Sequence, residues 1–355
     1  MEYLQENVVD FDKSEPDPLH DYSGSDRKEP RLIDGIPFMV KYSDKRAKTG
    51  RLDTSFVNNT LSEYIGSHLV ASAGLPSHET YLGYFNGELV VGCRNYLRGR
   101  EVSHEFAYYM KKKYDSSEIG RLPKYEQIYD VIETDPELKK IRDEAVRRYW
   151  ETFIVDAWIA NFDRHKGNWS YIYNPDEKIS YPAPVYDCGS TLYPALSEKG
   201  MSLVLGSEYE IRKRIRVFPN AALLVNGMKV GYYEMISSGI DRNCTDALMS
   251  IVPRIDMEKA REIIDNTPLI SNTRKQFYYT MLKRRKEMIL DRAYKIVREK
   301  GFDKESRTAI EQRRPYTDKD LQDDMIREGI DILQLDCGDE EKNIQVTKKT
   351  RKKRR

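Results

Sequence analysis

The sequence predicts an α+β fold of two lobes, a small one of strands with one helix and a larger, mainly helical one. Three observations carry this reading. Short β-prone runs, one amphipathic helix and an Asn-Gly hairpin crowd into roughly the first 100 residues, helical periodicity takes over from there, and 355 residues suffice for two modest cores.

Residues 1–20 read as a flexible acidic lead-in, because Met1 to Asp21 hold seven acidic side chains and a single lysine. The small lobe spans 21–97. Within it, Pro37 to Tyr42 (P-F-M-V-K-Y) is a β-prone run with Lys41 near its end. A helix follows, capped by Asn58 or Asn59, with Leu61, Tyr64, Ile65 and Leu69 at helical spacing and Gly74 and Pro76 as its stop. Two β-prone runs, His78 to Tyr84 and Glu88 to Cys93, flank the turn dipeptide Asn86-Gly87 and predict a hairpin.

The helical lobe spans 98–300. Asp135-Pro136 reads as a cap followed by proline at the first helical position, opening a helix to Ala160 that buries Val146, Trp150, Phe153, Ile154, Ala157 and Trp158. A second hairpin is predicted between Trp169 and Tyr186, turning near Asn174-Pro175-Asp176. Further helices are predicted over Met257 to Asp265 and Thr273 to Lys300. Residues 301–355 read as a polar region with a basic tail, seven of the last eight side chains being Lys or Arg.

Bulk properties exclude several classes. No apolar run approaches 18 residues, and the richest stretch, Phe153 to Phe162, is broken by Asp156, so no membrane span is expected. The acidic N-terminus is unlike a secretory or transit signal, and cytoplasmic synthesis is the expectation. Four dispersed cysteines without a C-x-x-C pair predict reduced thiols. A net charge of +1 gives no reason to expect nucleic acid beyond the basic tail.

The chemistry concentrates in Asn161-Phe162-Asp163-Arg164-His165-Lys166-Gly167-Asn168, between a buried helix and a strand. Asp163 and Asn168 stand five apart, a D-x-x-x-x-N spacing that lets a carboxylate face an attacking hydroxyl while an amide oxygen one turn away binds Mg²⁺. Asp187-Cys188-Gly189 closes the second hairpin and predicts a second metal ligand at Asp187. Lys41 on a strand and Glu63 on the next helix fit a phosphate-binding lysine held by a glutamate. The polar turn Ser23-Gly24-Ser25-Asp26-Arg27-Lys28 has backbone N–H groups suited to a phosphate, with Ser23, Gly24, Ser25 and Lys28 as its contacts. Asn95 and Tyr96 lie where a hinge between the lobes would meet adenine. Together these residues call for ATP and Mg²⁺ and for transfer of phosphate to a hydroxyl. A protein acceptor is the first expectation; D-R-H-x-x-N also suits a phosphoinositide-like lipid or small-molecule kinase. His165 reads first as a histidine bonding backbone near Asp187, with a second acid or base as the alternative.

The order of these parts, with Met39-Val40-Lys41, Ser62-Glu63-Tyr64, the loop Asn161 to Trp169, Asp187 to Pro194, Pro253 to Met257 and Ile263 to Pro268, resembles the HipA-like kinases over roughly residues 20 to 300. The resemblance implies a two-lobed protein-kinase-like fold and a serine/threonine protein kinase with an as yet unspecified protein substrate. It implies Asp163 as the base, Asn168 and Asp187 on Mg²⁺, Lys41 on phosphate and Glu63 orienting Lys41. It also implies autophosphorylation in the nucleotide loop, at Ser23 or Ser25. HipA-type toxins carry an additional N-terminal segment that helps contact an antitoxin; only about 20 residues precede the loop here, which weakens the expectation of an antitoxin partner.

Overall fold

In the computed structural model, residues 8–19, 27–43 and 59–330 are described. The N-terminal part is a six-stranded sheet with one helix against it. Its elements are β1 (Val9–Asp10), β2 (Glu15–Pro16), β3 (Lys28–Ile33), β4 (Ile36–Tyr42), α1 (Asn59–Ser72), β5 (Thr80–Phe85) and β6 (Glu88–Arg94). The strand order is β1-β5-β6-β4-β3-β2, antiparallel throughout except for β1 alongside β5. The β5–β6 hairpin turns at Asn86 and Gly87, with φ of 51° and 72°. Both central residues are thus left-handed, which asparagine and glycine tolerate and which matches strand twist.

The described part of the expected flexible lead-in, residues 8–19, instead contributes two strands to this sheet. Val9 pairs with Gly83, Glu15 pairs with Leu32, and Phe11 is wholly buried among Val9, Phe38, Val40, Tyr42 and Phe85. The charge of the segment hid two apolar side chains, Val9 and Phe11, that the sheet covers. Lys28, expected in a polar turn, opens β3 and pairs with Lys41 of β4. Ser23, Gly24 and Ser25 lie outside the described residues.

The rest of the chain is mainly helical. It begins with β7 (Val102–Glu105), α2 (Phe106–Lys113) and α3 (Tyr125–Thr134) and reaches the central helix α4 (Arg142–Ile159). Then come β8 (Ser170–Asn174), β9 (Ile179–Pro182), α5 (Glu198–Leu205), α6 (Glu208–Arg216), β10 (Leu224–Val225) and β11 (Met228–Lys229). The helices α7 (Tyr232–Ser237), α8 (Arg242–Ile251), α9 (Met257–Asn266), α10 (Asn272–Arg285), α11 (Arg292–Lys300), α12 (Lys304–Glu311) and α13 (Asp318–Arg327) complete it. Strands β7, β8 and β9 form a small antiparallel sheet, and β10–β11 a hairpin.

Asp135 caps a 3₁₀ turn rather than α4 itself: its carboxylate accepts from Glu137 and Leu138 N–H, and Leu138–Ile141 lead into α4 as a separate 3₁₀ segment. The predicted helix from Thr273 to Lys300 is a continuous path with a π-helical stretch at Lys286–Asp291. The C-terminal polar region contains more order than its composition suggested, since α12 and α13 bury Ala309, Ile310, Leu321 and Met325. Two apolar residues per short helix are too few to give a periodic signal. Among the described residues no helix is long and apolar enough to cross a membrane.

Helix α4 is buried almost all round, with Trp150 and Trp158 fully covered in the main core. It ends at Ala160, whose φ of 59° is left-handed, and releases the chain into the loop that holds Asp163. The loop therefore starts from a fixed point.

Candidate active site

Helix α1 carries Glu63 into the space beneath β4. Two reciprocal bonds fix its position: Ser62 Oγ donates to the Thr191 carbonyl at 2.7 Å, and Thr191 Oγ1 donates to the Ser62 carbonyl at 3.1 Å. Gly66 faces the same loop so closely that a β-carbon there would stand 2.7 Å from Cys188 Cβ. A larger side chain would push α1, and Glu63 with it, off the loop.

Lys41, Glu63 and Asp187 meet. Lys41 Nζ lies 3.2 Å from Glu63 Oε2 and 3.4 Å from Asp187 Oδ1, although 146 positions separate Lys41 from Asp187. The other Glu63 oxygen accepts the Cys188 N–H at 3.2 Å, so one buried carboxylate ties the strand lysine to the Asp187 segment. Burial works against the Lys41 charge, but Asp187 and Glu63 outweigh it and hold the ammonium well above its ordinary pKa. Burial likewise works against the Asp187 carboxylate, and Lys41 and Arg164 overcome it, leaving its pKa below the usual range. Asp187 adopts φ 56°, a left-handed conformation that aspartate visits more readily than most residues.

The Asp163 loop is built by local bonds. Asn161 Nδ2 donates to Asp156 at 3.0 Å, and Asn161 Oδ1 accepts the Asp163 N–H at 3.1 Å, an Asx turn at the end of α4. Asn168 Nδ2 donates to the Asp163 carbonyl at 2.8 Å, which closes the five-residue loop and leaves the amide oxygen turned away from that bond. His165 Nδ1 accepts the Gly167 N–H at 3.0 Å, the backbone role expected of it.

Arg164 was not singled out by its sequence position, and it joins the loop to the segment that carries Asp187. Its side chain is 7% exposed and forms a two-pronged pair with Asp156 at 3.0 and 3.1 Å. The same guanidinium donates to the Asn168 carbonyl at 2.9 Å and to the Tyr186 carbonyl, one residue before Asp187. Planar, multiply donating arginine suits this role where lysine would not. Asp156, which reads in sequence as a break in an apolar run, is the buried counter-ion of this clamp. The signal that points to it is the i, i+8 pair of opposite charges at a helix end.

Around the hinge, Asn95 N–H donates to the Pro37 carbonyl at 2.9 Å, and Leu97 N–H is taken by Asn95 Oδ1 at 3.0 Å. Tyr96 stacks near Tyr186 at 6.2 Å and meets the His78 ring edge-on at 5.4 Å. His78 Nε2 donates to the Arg94 carbonyl at 2.6 Å, and burial, then Lys41, lowers its pKa to about 4.

The donor set fits a hard cation. Among the described residues no protein donor reaches Asn168 Oδ1 or the second Asp187 oxygen, so an amide and a carboxylate oxygen remain for a metal. Oxygen ligands of this kind suit Mg²⁺. Glu63, His78 and Cys93 also bring potential ligand atoms within 4.8 Å of one another. The Lys41 ammonium already holds that glutamate, and burial keeps the Cys93 thiol protonated, so this is a packing cluster.

Sheet, helix α1, helical part and the point where Lys41, Glu63 and Asp187 meet define a two-lobed protein-kinase-like fold. The chain belongs to the family of the HipA-like C-terminal domain, whose model matches residues 33–266. It is 33% identical over 290 residues to the serine/threonine-protein kinase CtkA of Helicobacter pylori (strain J99 / ATCC 700824), covering 81% of this chain and 88% of that one. The crystal structure of the Helicobacter pylori proinflammatory kinase CtkA superposes with a TM-score of 0.76 at 30% identity, over 83% of this chain and 100% of the other. The Shewanella oneidensis MR-1 HipA, HipB and operator DNA complex is a looser match, with a TM-score of 0.48 at 14% identity over 79% of this chain and 70% of that one. Kinship and fold together make the chain an enzyme of the kinase class.

Proposed function

We propose that the chain is an ATP- and Mg²⁺-dependent serine/threonine protein kinase, and that the observation carrying this is the Lys41 ammonium held between Glu63 and Asp187. In this reading Lys41 binds donor phosphate oxygens and Glu63 fixes its direction. Asn168 and Asp187 hold Mg²⁺, which when bound neutralises charge on the phosphates. Tyr96 lines the adenine end, and the segment with Ser23, Gly24, Ser25 and Lys28 covers the phosphates. Asp163 orients the acceptor hydroxyl and receives its proton as the oxygen attacks the γ-phosphorus. The new P–O bond forms while the bond to the β-phosphate oxygen breaks, and ADP leaves with that electron pair. A lipid or small-molecule acceptor, the other reading of D-R-H-x-x-N, draws no support from Arg164 or His165, since both are engaged within the protein.

The test is transfer from ATP labelled on its γ-phosphate, in Mg²⁺, to the chain itself and to a generic phosphoacceptor protein. Asp163→Asn is expected to lower the rate by roughly 10²–10⁴, the usual worth of a positioned base. Undiminished transfer by Asp163→Asn overturns the assignment of the base. Mass spectrometry of the self-labelled chain checks Ser23 and Ser25 as the modified positions.

A further inference from the structure

Asp163, the residue proposed to meet the acceptor, has a cationic side chain directly against it. Arg121 reaches it at 3.0 Å from the loop before α3, with the arginine side chain 77% exposed and the aspartate 18%. Lys229 of β11 stands opposite Leu224 of β10, and burial, outweighing the pull of Asp163, holds its pKa below the ordinary lysine value. Lys166 of the Asp163 loop donates to the carbonyls of Gly120 and Arg121, the latter at 3.1 Å, and so fixes the backbone that presents Arg121.

These segments are held together. Leu224 N–H of β10 donates to the Pro123 carbonyl at 3.0 Å, and Lys124 and Leu224 form a parallel bridge, so the Arg121 loop and the β10–β11 hairpin are stitched side by side. Of the two acidic residues in the Arg121 loop, Asp115 and Glu118, the latter accepts the Asp115 N–H at 3.1 Å within its own turn. The rim around Asp163 therefore offers an exposed, exchangeable arginine and a half-buried lysine to whatever brings the hydroxyl.

We infer that this rim, with Arg121 and Lys229 as its recognition residues, selects acceptor segments that carry an anionic side chain beside the phosphorylated hydroxyl. The anion takes Arg121 from Asp163, and the carboxylate is freed to face the hydroxyl. A neutral or basic segment leaves Arg121 on Asp163 and meets the positive charge of the rim. The inference rests on the protein-kinase reading and adds its substrate class. Carboxylate and phosphoryl groups share this chemistry, and the experiment tells them apart.

The experiment measures kcat/KM of the full chain on four otherwise identical serine peptides, with glutamate, glutamine, lysine or phosphoserine flanking the acceptor. The expected result is a preference of about tenfold or more for the anionic peptides, shrinking as salt rises. The ratio of glutamate to phosphoserine peptide reports which anion is read. Arg121→Gln with Lys229→Gln is expected to abolish the preference while the glutamine peptide is still phosphorylated, and Arg121→Glu to move it toward a lysine-flanked peptide. Equal rates on all peptides by the unaltered chain overturn this inference alone. No Mg-ATP-dependent transfer to any peptide or protein overturns the kinase reading and this inference with it.

Discussion

Asp187 and Asp163 are both carboxylates held by a cation, yet they are held in opposite ways. Lys41, against Asp187, is 13% exposed and shared with the buried Glu63, whereas Arg121, against Asp163, is 77% exposed and reaches in from a surface loop. Ion pairs at the first position act through a partly desolvated medium, and those at the second are weakened by water and salt. The difference teaches that the wall proposed to bind the phosphate donor is fixed in advance, while the wall proposed to meet the acceptor has a removable partner. Arg164 belongs to neither wall. It is the buried clamp that ties the Asp163 loop to the segment before Asp187.

The comparison breaks most visibly at this clamp. Arg164→Met leaves Asp156 buried without its counter-ion, and urea unfolding is expected to show a loss of about 3–5 kcal/mol. A loss below about 1 kcal/mol would mean that packing alone aligns the two segments.

The fixed wall is also sharpened by its pH response at His78. This buried imidazole has its pKa lowered to about 4 from an ordinary 6.5, first by burial and then by Lys41. Between these values the unfolded chain binds a proton that the folded protein refuses, so stability falls as pH falls from about 6.5 toward 4. The drop attributable to this group is roughly 3 kcal/mol, at about 1.36 kcal/mol for each unit of pKa. Urea midpoints across that range should slope less steeply in His78→Gln than in the unaltered protein. Identical slopes would show that His78 takes up its proton without unfolding the wall.

The smallest effect belongs to the exchangeable wall. Arg121→Gln is expected to change unfolding free energy by less than about 1 kcal/mol, as for other exposed pairs. A larger loss in the same urea experiment would make Arg121 a structural residue and erase the contrast with Lys41.

Legibility in the sequence followed the range of the interactions. The Asn86-Gly87 turn, the Asp163 to Asn168 loop and helix α1 were readable because a turn, a five-residue loop or a helical face is encoded by residues adjacent in the chain. The pairing of Lys41 with Glu63 was readable only as the order of a strand lysine and a helix glutamate, and the contact of Lys41 with Asp187 was not readable at all. Val9 and Phe11 were hidden by the acidic residues around them, and α12 and α13 by the shortness of their apolar faces.

By itself the sequence determined which chemistry-bearing groups the chain possesses and the local turns that present them, since backbone geometry and side-chain type act over a few residues. Tertiary structure alone decided that Arg164 faces inward onto Asp156 while Arg121 faces solvent and caps Asp163. The two arginines are chemically identical. Burial and the distance to the nearest carboxylate set what each one does, and neither is a property of the chain until segments far apart in sequence have packed together.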